Sequence, residues 1–352
     1  MPNLEMESKP SSMIVVGGVD THADTHTVAA LDELGRRLGC AMFPATRAGY
    51  RALTEWLAGH GEISAVGVEG TGSYGAGLTR WLSAQQITVV EVNRPNRAER
   101  RRRGKSDPID AEHAAAAVLA NTATVVPKAR TGLVESMRLI HATRAGAVKA
   151  RTAARNTFLN TIRTGPDQVR EAMQPLTRAR QLKVATSYRP HQDDTVVSTV
   201  KRCLRRLAVR ITELTAEIRA ADADLDRLTR QLAPTMRSRP GFGPETTAQL
   251  LITAGDNPDR IGSEAALAGL CGVSPVQAFS GRTRYHRLNR GGDRQANRAL
   301  HMIILNRIRY HQTTRAFLAG HSIGGKATPH LRRVLKRYLV RELYQLLNQL
   351  QP

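Results

Sequence analysis

Apolar residues in the first third of the chain form short runs with the length and period of β-strands. Two β-branched runs, Met13 to Val19 and Thr25 to Leu31, predict a hairpin, and the second closes at the turn signal Asp32-Glu33-Leu34-Gly35. Strand and helix patterns then alternate: a strand at 37–43, a helix around 52–57, a strand at 64–69, a helix around 78–84 and a strand at 87–92. Antiparallel strands followed by β-α-β alternation predict an α/β domain with a mixed sheet covered by helices.

The middle of the chain changes to a helical period. Residues 131–163 are helical in pattern, and residues 181–195 lack a sustained period and read as a connector. After the connector, apolar residues alternate spacings of three and four over about five heptads, which is typical of a coiled coil, and Pro234 ends the pattern. We expect this seam to self-associate or to pair in an antiparallel helical hairpin; the alternative is a long helix packed on its own domain. The seam residues are Val197, Val200, Leu204, Leu207, Ile211, Leu214, Ile218, Ala221, Leu225, Leu228 and Leu232.

The last third of the chain is also predicted to be helical. The stretch Arg239 to Asp256 places a Pro-Gly turn before an apolar helix, as helix-hairpin-helix elements do, and such turns hold phosphate through backbone N–H groups; ordinary connectors share the pattern. Leucines at helical spacing from 335 to 350 predict a packing helix without chemistry. We therefore expect an α/β domain at 13–127, an all-α linker and coiled coil at 128–235, and a helical C-terminal domain at 236–352.

Charge narrows the class of partner. The chain of 352 residues carries 52 Lys and Arg against 30 Asp and Glu, a formal charge of +22, with a pI near 11.0. The positive electrostatic potential of such a chain favours binding to phosphate backbones or to anionic membranes. No apolar stretch is long enough for a membrane span and the first residues do not resemble a signal peptide, so we expect a cytoplasmic protein that binds nucleic acid, with no membrane association. Cys40, Cys203 and Cys271 are too few and too far apart for a disulfide framework or a metal knuckle, and we expect them to be packing residues.

Four carboxylates occupy positions that a fold of this kind can bring together. Asp20 and Glu69 lie at or near the ends of two predicted strands, the edge where open α/β sheets place ligands. Asp107 precedes a proline and is predicted to be an N-cap, which puts Asp110 one turn into the same helix. Each of these residues alone has a structural explanation, as a cap, dipole partner or turn residue. Together they would repel one another unless divalent cations lay between them, and two such ions are the usual device for phosphodiester cleavage.

Two basic segments accompany the carboxylates. The first basic segment runs from Arg94 to Lys105. Such a composition is usually that of a solvated loop, but a basic segment directly before a metal-binding helix is expected to bind phosphates without contacting the base edges. The second follows a Ser-Gly pair, where few acids oppose its arginines. The first comprises Arg94, Arg97, Arg100, Arg101, Arg102, Arg103 and Lys105, and the second Arg282, Arg284, Arg287, Arg290, Arg294 and Arg298.

Three motifs carry a family resemblance. The stretches GGVDTHADTHTVAAL, GVEGTGSYG and GKSDPIDAEHAAA resemble the catalytic blocks of the DEDD transposases, whose N-terminal domain is similar to RuvC-type Holliday-junction resolvases of the ribonuclease-H-like fold. The metal ligands that the resemblance implies are Asp20, Glu69, Asp107 and Asp110, holding Mg²⁺ or Mn²⁺. All four family positions are filled in order.

The segment around FSGRTR extends the resemblance toward the C-terminus. It is similar to the block in which a serine of a Ser-Gly pair joins the carboxylates as nucleophile, and the matching pair is Ser280-Gly281. The resemblance points to the bridge-RNA-guided recombinases of insertion-sequence family 110. It implies strand exchange through a phosphoserine bond without ATP, with donor and target double-stranded DNA, a guide RNA, and a homodimer or homotetramer formed through the coiled coil. Without the resemblance Ser280 reads as a turn residue, and Tyr285 and Ser274 are chemically possible rivals.

Three other classes of protein share parts of this pattern. An actin-like sugar kinase also opens with a strand ending in Asp, but here Thr-His-Ala follows Asp20 instead of a glycine-rich phosphate turn. An architectural nucleic-acid binder explains the charge and leaves the ordered carboxylates unexplained. A RuvC-like junction resolvase, or a metal-dependent nuclease without a covalent intermediate, is the nearest alternative.

Overall fold

The computed structural model describes residues 13–93, 106–189, 191–257, 260–322 and 328–350, without the side chains of residues 284, 322 and 328. The chain divides into two compact units. The first comprises residues 1–132 together with 255–260, and the second comprises 133–254 together with 261–352. The helical linker and the C-terminal domain that we predicted therefore lie mainly in one unit.

The N-terminal unit is built on a five-stranded mixed sheet with the order β3-β2-β1-β4-β5. β1 pairs antiparallel with β2 and parallel with β4, while β2–β3 is antiparallel and β4–β5 is parallel. The strands are β1 (Ile14–Thr21), β2 (Thr25–Asp32), β3 (Arg37–Pro44), β4 (Glu62–Glu69) and β5 (Val89–Val92), and the helices are α1 (Arg47–Ala58), α2 (Ala76–Ala84) and α3 (Asp107–Leu119). This is the ribonuclease-H-like mixed sheet that the sequence predicted.

The two faces of the sheet are covered by different helices. On one face Val15 and Val19 of β1 pack with Leu53 and Leu57 of α1 in a buried cluster. On the other face α3 lies directly on β1 and β4, because the residues beneath it are glycines. A β-carbon at Gly18 would lie 2.2 Å from the backbone oxygen of Ala111 and 2.2 Å from the nitrogen of Ala115. The missing side chain thus sets how closely α3, which carries Asp107 and Asp110, approaches the sheet.

The second unit is mainly helical, as predicted, with one addition. A two-stranded antiparallel hairpin of β6 (Val276–Ser280) and β7 (Thr283–Arg287) interrupts the helices that we expected to form an all-α region. The helices are α4 (Leu133–Thr164), α5 (Asp167–Met173), α6 (Arg178–Ser187), α7 (Val196–Leu232), α8 (Pro234–Arg237), α9 (Pro244–Ala254), α10 (Glu264–Leu270), α11 (Arg294–Tyr310), α12 (Gln312–Ser322) and α13 (Thr328–Asn348).

The predicted seam lies on α7, which pairs antiparallel with α4 of the same chain. The start of α7 shares a buried cluster with the end of α4, through Leu204 and Phe158, and the end of α7 shares another with the start of α4, through Leu225 and Met137. Arg144 of α4 donates its Nε–H to Asp222 of α7 at 2.6 Å. This pairing fits both the antiparallel helical arrangement and the alternative of a long helix packed on its own domain, and a coiled coil stays a prediction.

The seam itself is divided between two environments. One heptad row, Leu204, Ile211, Ile218 and Leu225, is buried, and the neighbouring row of Val200, Leu207, Leu214 and Ala221 is only half-buried. Self-association through the seam stays a prediction, and the buried row is already used within the chain.

The predicted Pro-Gly turn connects the short α8 to α9. Gly241 has a φ of 86°, and Phe242 beside it is buried in the main core of the second unit.

The cysteines differ in their surroundings. Cys271 is buried in the main core of the second unit, and burial raises the pKa of its thiol to about 12. Cys203 is exposed and is not a packing residue. No helix within the described residues is long and apolar enough to cross a membrane.

Candidate active site

Two carboxylates meet at one edge of the sheet because β1 and β4 are parallel neighbours. Asp20 is the penultimate residue of β1 and Glu69 is the last residue of β4, so both lie at the carboxyl ends of adjacent strands. Asp20 is 7% exposed and Glu69 is 8% exposed. Thr21 donates its hydroxyl to the backbone oxygen of Glu69 at 2.8 Å, which ties the two strand ends together.

The start of α3 supplies the other two carboxylates. The N-cap is Ser106, so Asp107 is the first helical residue and our prediction of Asp107 as the cap was wrong by one position. The reason is local: Pro108 fits either of the first two helical positions, and Ser106 has the extended backbone of a cap, with φ −152°. Asp110 is 7% exposed, while the side chain of Asp107 is 40% exposed.

Glu69, Asp107 and Asp110 each lie close enough to Asp20 to act on its carboxyl group electrostatically. Burial raises the pKa of Asp20, and the charges of Glu69, Asp110 and Asp107 raise it further against the lowering effect of His22. Ionised together without a counter-charge, these groups destabilise the folded state. Oxygen donors gathered in this way suit a divalent metal ion.

His22 is a member of the cluster that our sequence reasoning missed. Its Nε2 lies 3.3 Å from Oδ2 of Asp20 and 3.4 Å from Oδ1 of Asp107, and the three side chains place ligand atoms within 4.8 Å of one another. The only sequence signal was its position two residues after Asp20, and its second partner is far away along the chain.

Thr27 was also missed. It pairs with Asp20 across β1 and β2, and paired residues of neighbouring strands point to the same face of a sheet. Thr27 is 3% exposed, and among the described residues its hydroxyl oxygen has no hydrogen-bond partner. A buried hydroxyl without a partner is costly, and a polar ligand beside Asp20 would satisfy it. The residues at this edge therefore fit a hydrated metal ion.

Ser280 lies in the second unit, at the end of β6. It pairs with Thr283, and Gly281 opens the two-residue turn between them with a φ of 53°, a conformation that favours glycine. By register, Tyr285 lies on the same face of the hairpin as Ser280, and both are exposed. Ser274, the other rival nucleophile, precedes the hairpin and is half-buried.

The predicted phosphate-binding arginines fall into two groups. The segment from Arg94 to Lys105 lies outside the described residues. In the second segment the guanidinium of Arg287 stands 5.7 Å from the ring centroid of Tyr285 and donates to its hydroxyl at 3.0 Å. Arg284 is placed in β7 by its backbone alone. The exposed members of the second segment are Arg282, Arg287, Arg290, Arg294 and Arg298.

Two family models and a relative are similar to parts of this chain. Residues 17–166 match the model of a DEDD transposase family of the IS110 type, described as "Transposase". Residues 233–319 match a second family model, described as "Transposase IS116/IS110/IS902 family". A relative from Streptomyces coelicolor, an uncharacterized 43.6 kDa protein of the insertion element IS110, is 37% identical over 98 residues. The aligned stretch covers 27% of this chain and 24% of that protein.

Proposed function

Since the chain belongs to the IS116/IS110/IS902 family of transposases, we propose that it cuts and rejoins DNA strands during movement of an insertion sequence. The observation that carries the proposal is that Asp20 and Asp107 come together with His22, while Glu69 and Asp110 lie close enough to act on the charge of Asp20. The four acids stand at the ligand-binding edge of a ribonuclease-H-like sheet, on two strands and one helix that the fold holds in place. The proposed substrates are the donor and target DNA duplexes.

The four carboxylates are proposed to hold a divalent metal, Mg²⁺ or Mn²⁺. Three of them are buried, which removes competing water and strengthens each electrostatic interaction in the site. When bound, such an ion stabilises negative charge that develops on a phosphate during transfer. The protein supports this by fixing Asp20 and Glu69 on adjacent strands and Asp110 on a helix that two glycines, Gly18 and Gly67, let rest on the sheet.

Ser280 is proposed as the nucleophile. Its hydroxyl gives its proton to solvent, and Oγ forms a bond to the scissile phosphorus while the bond from phosphorus to the deoxyribose oxygen breaks. The leaving oxygen takes a proton and becomes a free hydroxyl. One phosphodiester replaces another, so the reverse attack by a different strand end needs no ATP. The exposed Arg282 lies in the turn beside Ser280, and Arg287 lies on the same face at the other end of the hairpin; their positive charges favour an approaching phosphate.

Guidance by RNA and self-association complete the proposal. A formal charge of +22 favours polyanions in general, and we propose that the chain binds a structured guide RNA in addition to DNA. Two duplexes that exchange strands need more than one active site, so we propose a homodimer or homotetramer. Val200 and Leu207 of the half-buried row already pack against the core of their own chain, so the proposed contact with a second copy falls mainly on Leu214 and Ala221.

The test separates this reaction from that of a resolvase or nuclease without a covalent intermediate. The purified chain, with any RNA that accompanies it, is incubated with a nicked duplex that spans an end of its insertion sequence. Mass spectrometry then identifies any residue joined to DNA. We expect an adduct at Ser280, none with Ser280→Ala, and none with Asp110→Asn although that variant still binds DNA.

The matched control is Asp24→Asn, which removes an exposed carboxylate close in sequence to Asp20. It should retain adduct formation. Cleavage without any adduct would support the resolvase alternative, and an adduct at Tyr285 or Ser274 would move the nucleophile.

A further inference from the structure

A short segment between the helices of the second unit belongs to the N-terminal unit. Residues 255–260 are grouped with residues 1–132, while the chain on both sides of them lies in the other unit. Asp256 in this segment accepts three successive backbone N–H groups: Oδ1 from Arg130 at 3.0 Å, and Oδ2 from Thr131 at 3.1 Å and Gly132 at 3.0 Å. Successive N–H groups that point at one anion form a nest, and here a carboxylate of the chain fills it.

Further hydrogen bonds extend this clamp along the same stretch of backbone. Asn257 accepts from the N–H of Ala129 at 3.2 Å and donates to the oxygen of Pro127 at 2.8 Å. Burial alone would raise the pKa of Asp256, but the N–H groups of Gly132, Arg130 and Thr131 outweigh it and the pKa is lowered. The carboxylate is therefore ionised at neutral pH, and residues 127–132 are held by charged hydrogen bonds.

The backbone held by Asp256 and Asn257 includes a residue, Arg130, with a positive φ that is uncommon for residues other than glycine. Among the described residues, the non-glycine residues with positive φ are Gln86, Asn121 and Arg130. Gln86 and Asn121 each follow the C-cap of a helix, α2 and α3, where a left-handed residue is the ordinary way to end a helix. Arg130, with a φ of 55°, lies in a segment without helix or strand. Strain of this kind persists where the surroundings impose it, and it concentrates at functional sites.

The side chain of Arg130 lies against the loop that leaves the carboxylate edge. A β-carbon at Gly72 would be 3.0 Å from Nη2 of Arg130, so glycine at position 72 leaves room for the guanidinium. Gly72 follows Glu69 by three residues, and a β-carbon at Gly70 would be 3.1 Å from Oγ1 of Thr21, next to Asp20. Within the described residues no carboxylate forms an ion pair with the half-buried Arg130.

We propose that Arg130 binds a phosphate of the DNA strand that is cut, and that Asp256 and Asn257 are positioning residues that hold its backbone in the required conformation. This rests on the proposed function of the carboxylate site. A forked guanidinium without an acidic partner is suited to two-point contact with a phosphate. The strained backbone aims the side chain at the loop after Glu69, and the clamp stabilises that backbone through three N–H groups.

The test measures coupling between Arg130 and individual phosphates. A fluorescein-labelled duplex that spans an end of the insertion sequence is prepared as a series in which one phosphate at a time is a neutral methylphosphonate. Binding to the full chain is followed by fluorescence anisotropy, without cleavage, in the Asp110→Asn background. We expect neutralisation at one position beside the cut to weaken binding by about tenfold, and to have no further effect on Arg130→Gln.

Two further variants distinguish positioning from general stability. Asp256→Asn should lose the same coupling although Arg130 is intact, and Arg130→Lys should recover only part of it because lysine lacks the fork. Arg51→Gln, an exposed arginine on α1, should behave like the parent chain. Asp256→Asn with reduced thermal stability but unchanged coupling would overturn the positioning role. A phosphate profile identical in Arg130→Gln and its parent would overturn the contact itself.

These outcomes are independent of the cleavage chemistry. If the unsubstituted chain shows no cleavage or adduct, the proposed function fails while the phosphate coupling can still be observed in the Asp110→Asn background. If cleavage occurs but Arg130 shows no coupling, the proposed function stands and this inference fails.

Discussion

The carboxylate cluster and the Ser280 hairpin hold their reactive groups in opposite ways. Asp20, Glu69 and Asp110 are each less than a tenth exposed and belong to three elements packed closely together. In β6, by contrast, Ala278 is half-buried and the other four residues are exposed, Ser280 included. The fold therefore determines the surroundings of the acids, while the surroundings of the serine come largely from whatever binds the hairpin.

If the carboxylates and Ser280 act in one reaction, as we propose, this difference gives each of them a separate part in it. A preorganised cluster has its charges in place before substrate arrives, at a cost in folding stability. An exposed serine is a weak nucleophile in water, so it reacts little until positive charge and phosphate surround it. On the mechanism proposed above, this separation would restrict strand cleavage to the assembled nucleic-acid complex.

Glycine substitutions give the largest contrast between the regions. Gly18→Ala places a β-carbon 2.2 Å from backbone atoms of α3, which cannot move aside as a side chain would, and we expect a loss of about 3 kcal/mol or more in unfolding free energy. For Gly281→Ala, no atom of the described residues lies within 4 Å of the new carbon, and the positive φ is expected to cost about 1 kcal/mol. Urea unfolding measures both.

A second pair tests the electrostatic cost of the cluster. In EDTA at neutral pH, Asp20→Asn should raise the unfolding free energy by about 1 kcal/mol, because it removes a buried charge that its neighbours repel. A carboxyl group with a raised pKa weakens the fold once it is ionised, so the gain should disappear as the pH falls below the ordinary value of 3.8. Ser280→Ala should change stability by less than about 0.5 kcal/mol.

Divalent metal extends the same comparison. Mn²⁺ should raise the thermal midpoint of the parent chain and of Ser280→Ala, and should have little effect on Asp20→Asn. Equal metal stabilisation of all three proteins would mean that Asp20 does not hold the ion.

The prediction made for metal-free protein has its own contradicting outcome. If Asp20→Asn is less stable than the parent chain in EDTA, repulsion by neighbouring charges is not the dominant effect on Asp20.

The sequence was informative where short apolar runs or a helical period of three to four residues decide burial. β1, β2 and β4, and the placement of Asp20 and Glu69 at strand ends, follow from β-branched apolar runs that are closed by turn residues. The seam predicted one long helix. An apolar row along a helix indicates that another part of the protein packs against it, but not which part. That α4 provides the cover depends on the whole second unit.

Contacts between distant residues were not predictable in this way. His22 lies close to Asp107 because Gly18 and Gly67, which pair across β1 and β4, allow α3 to pack directly on the sheet. Glycines within strands indicate close approach of another backbone, and we did not use this signal. The clamp of Asp256 on residues 130–132 joins segments more than a hundred residues apart. The β6–β7 hairpin was missed because its strands are short and exposed, so they lack the apolar alternation of a half-buried strand.

The smallest expected effect concerns the arginines that follow the hairpin. Arg290 and Arg294 are exposed, and if they contact phosphates each releases about one counterion on binding. The double substitution Arg290→Gln and Arg294→Gln should therefore reduce the slope of log K against log salt by about two units, with little change in thermal stability. Arg51→Gln, on α1 of the N-terminal unit, should leave the slope unchanged. Exposed side chains make few contacts within the folded chain, so the two arginine substitutions should weaken nucleic-acid binding without changing folding stability. Substitutions in the carboxylate cluster should change both. An unchanged slope in the double variant would mean that this side of the hairpin does not contact the nucleic acid, and Ser280 would then need a different source of positive charge.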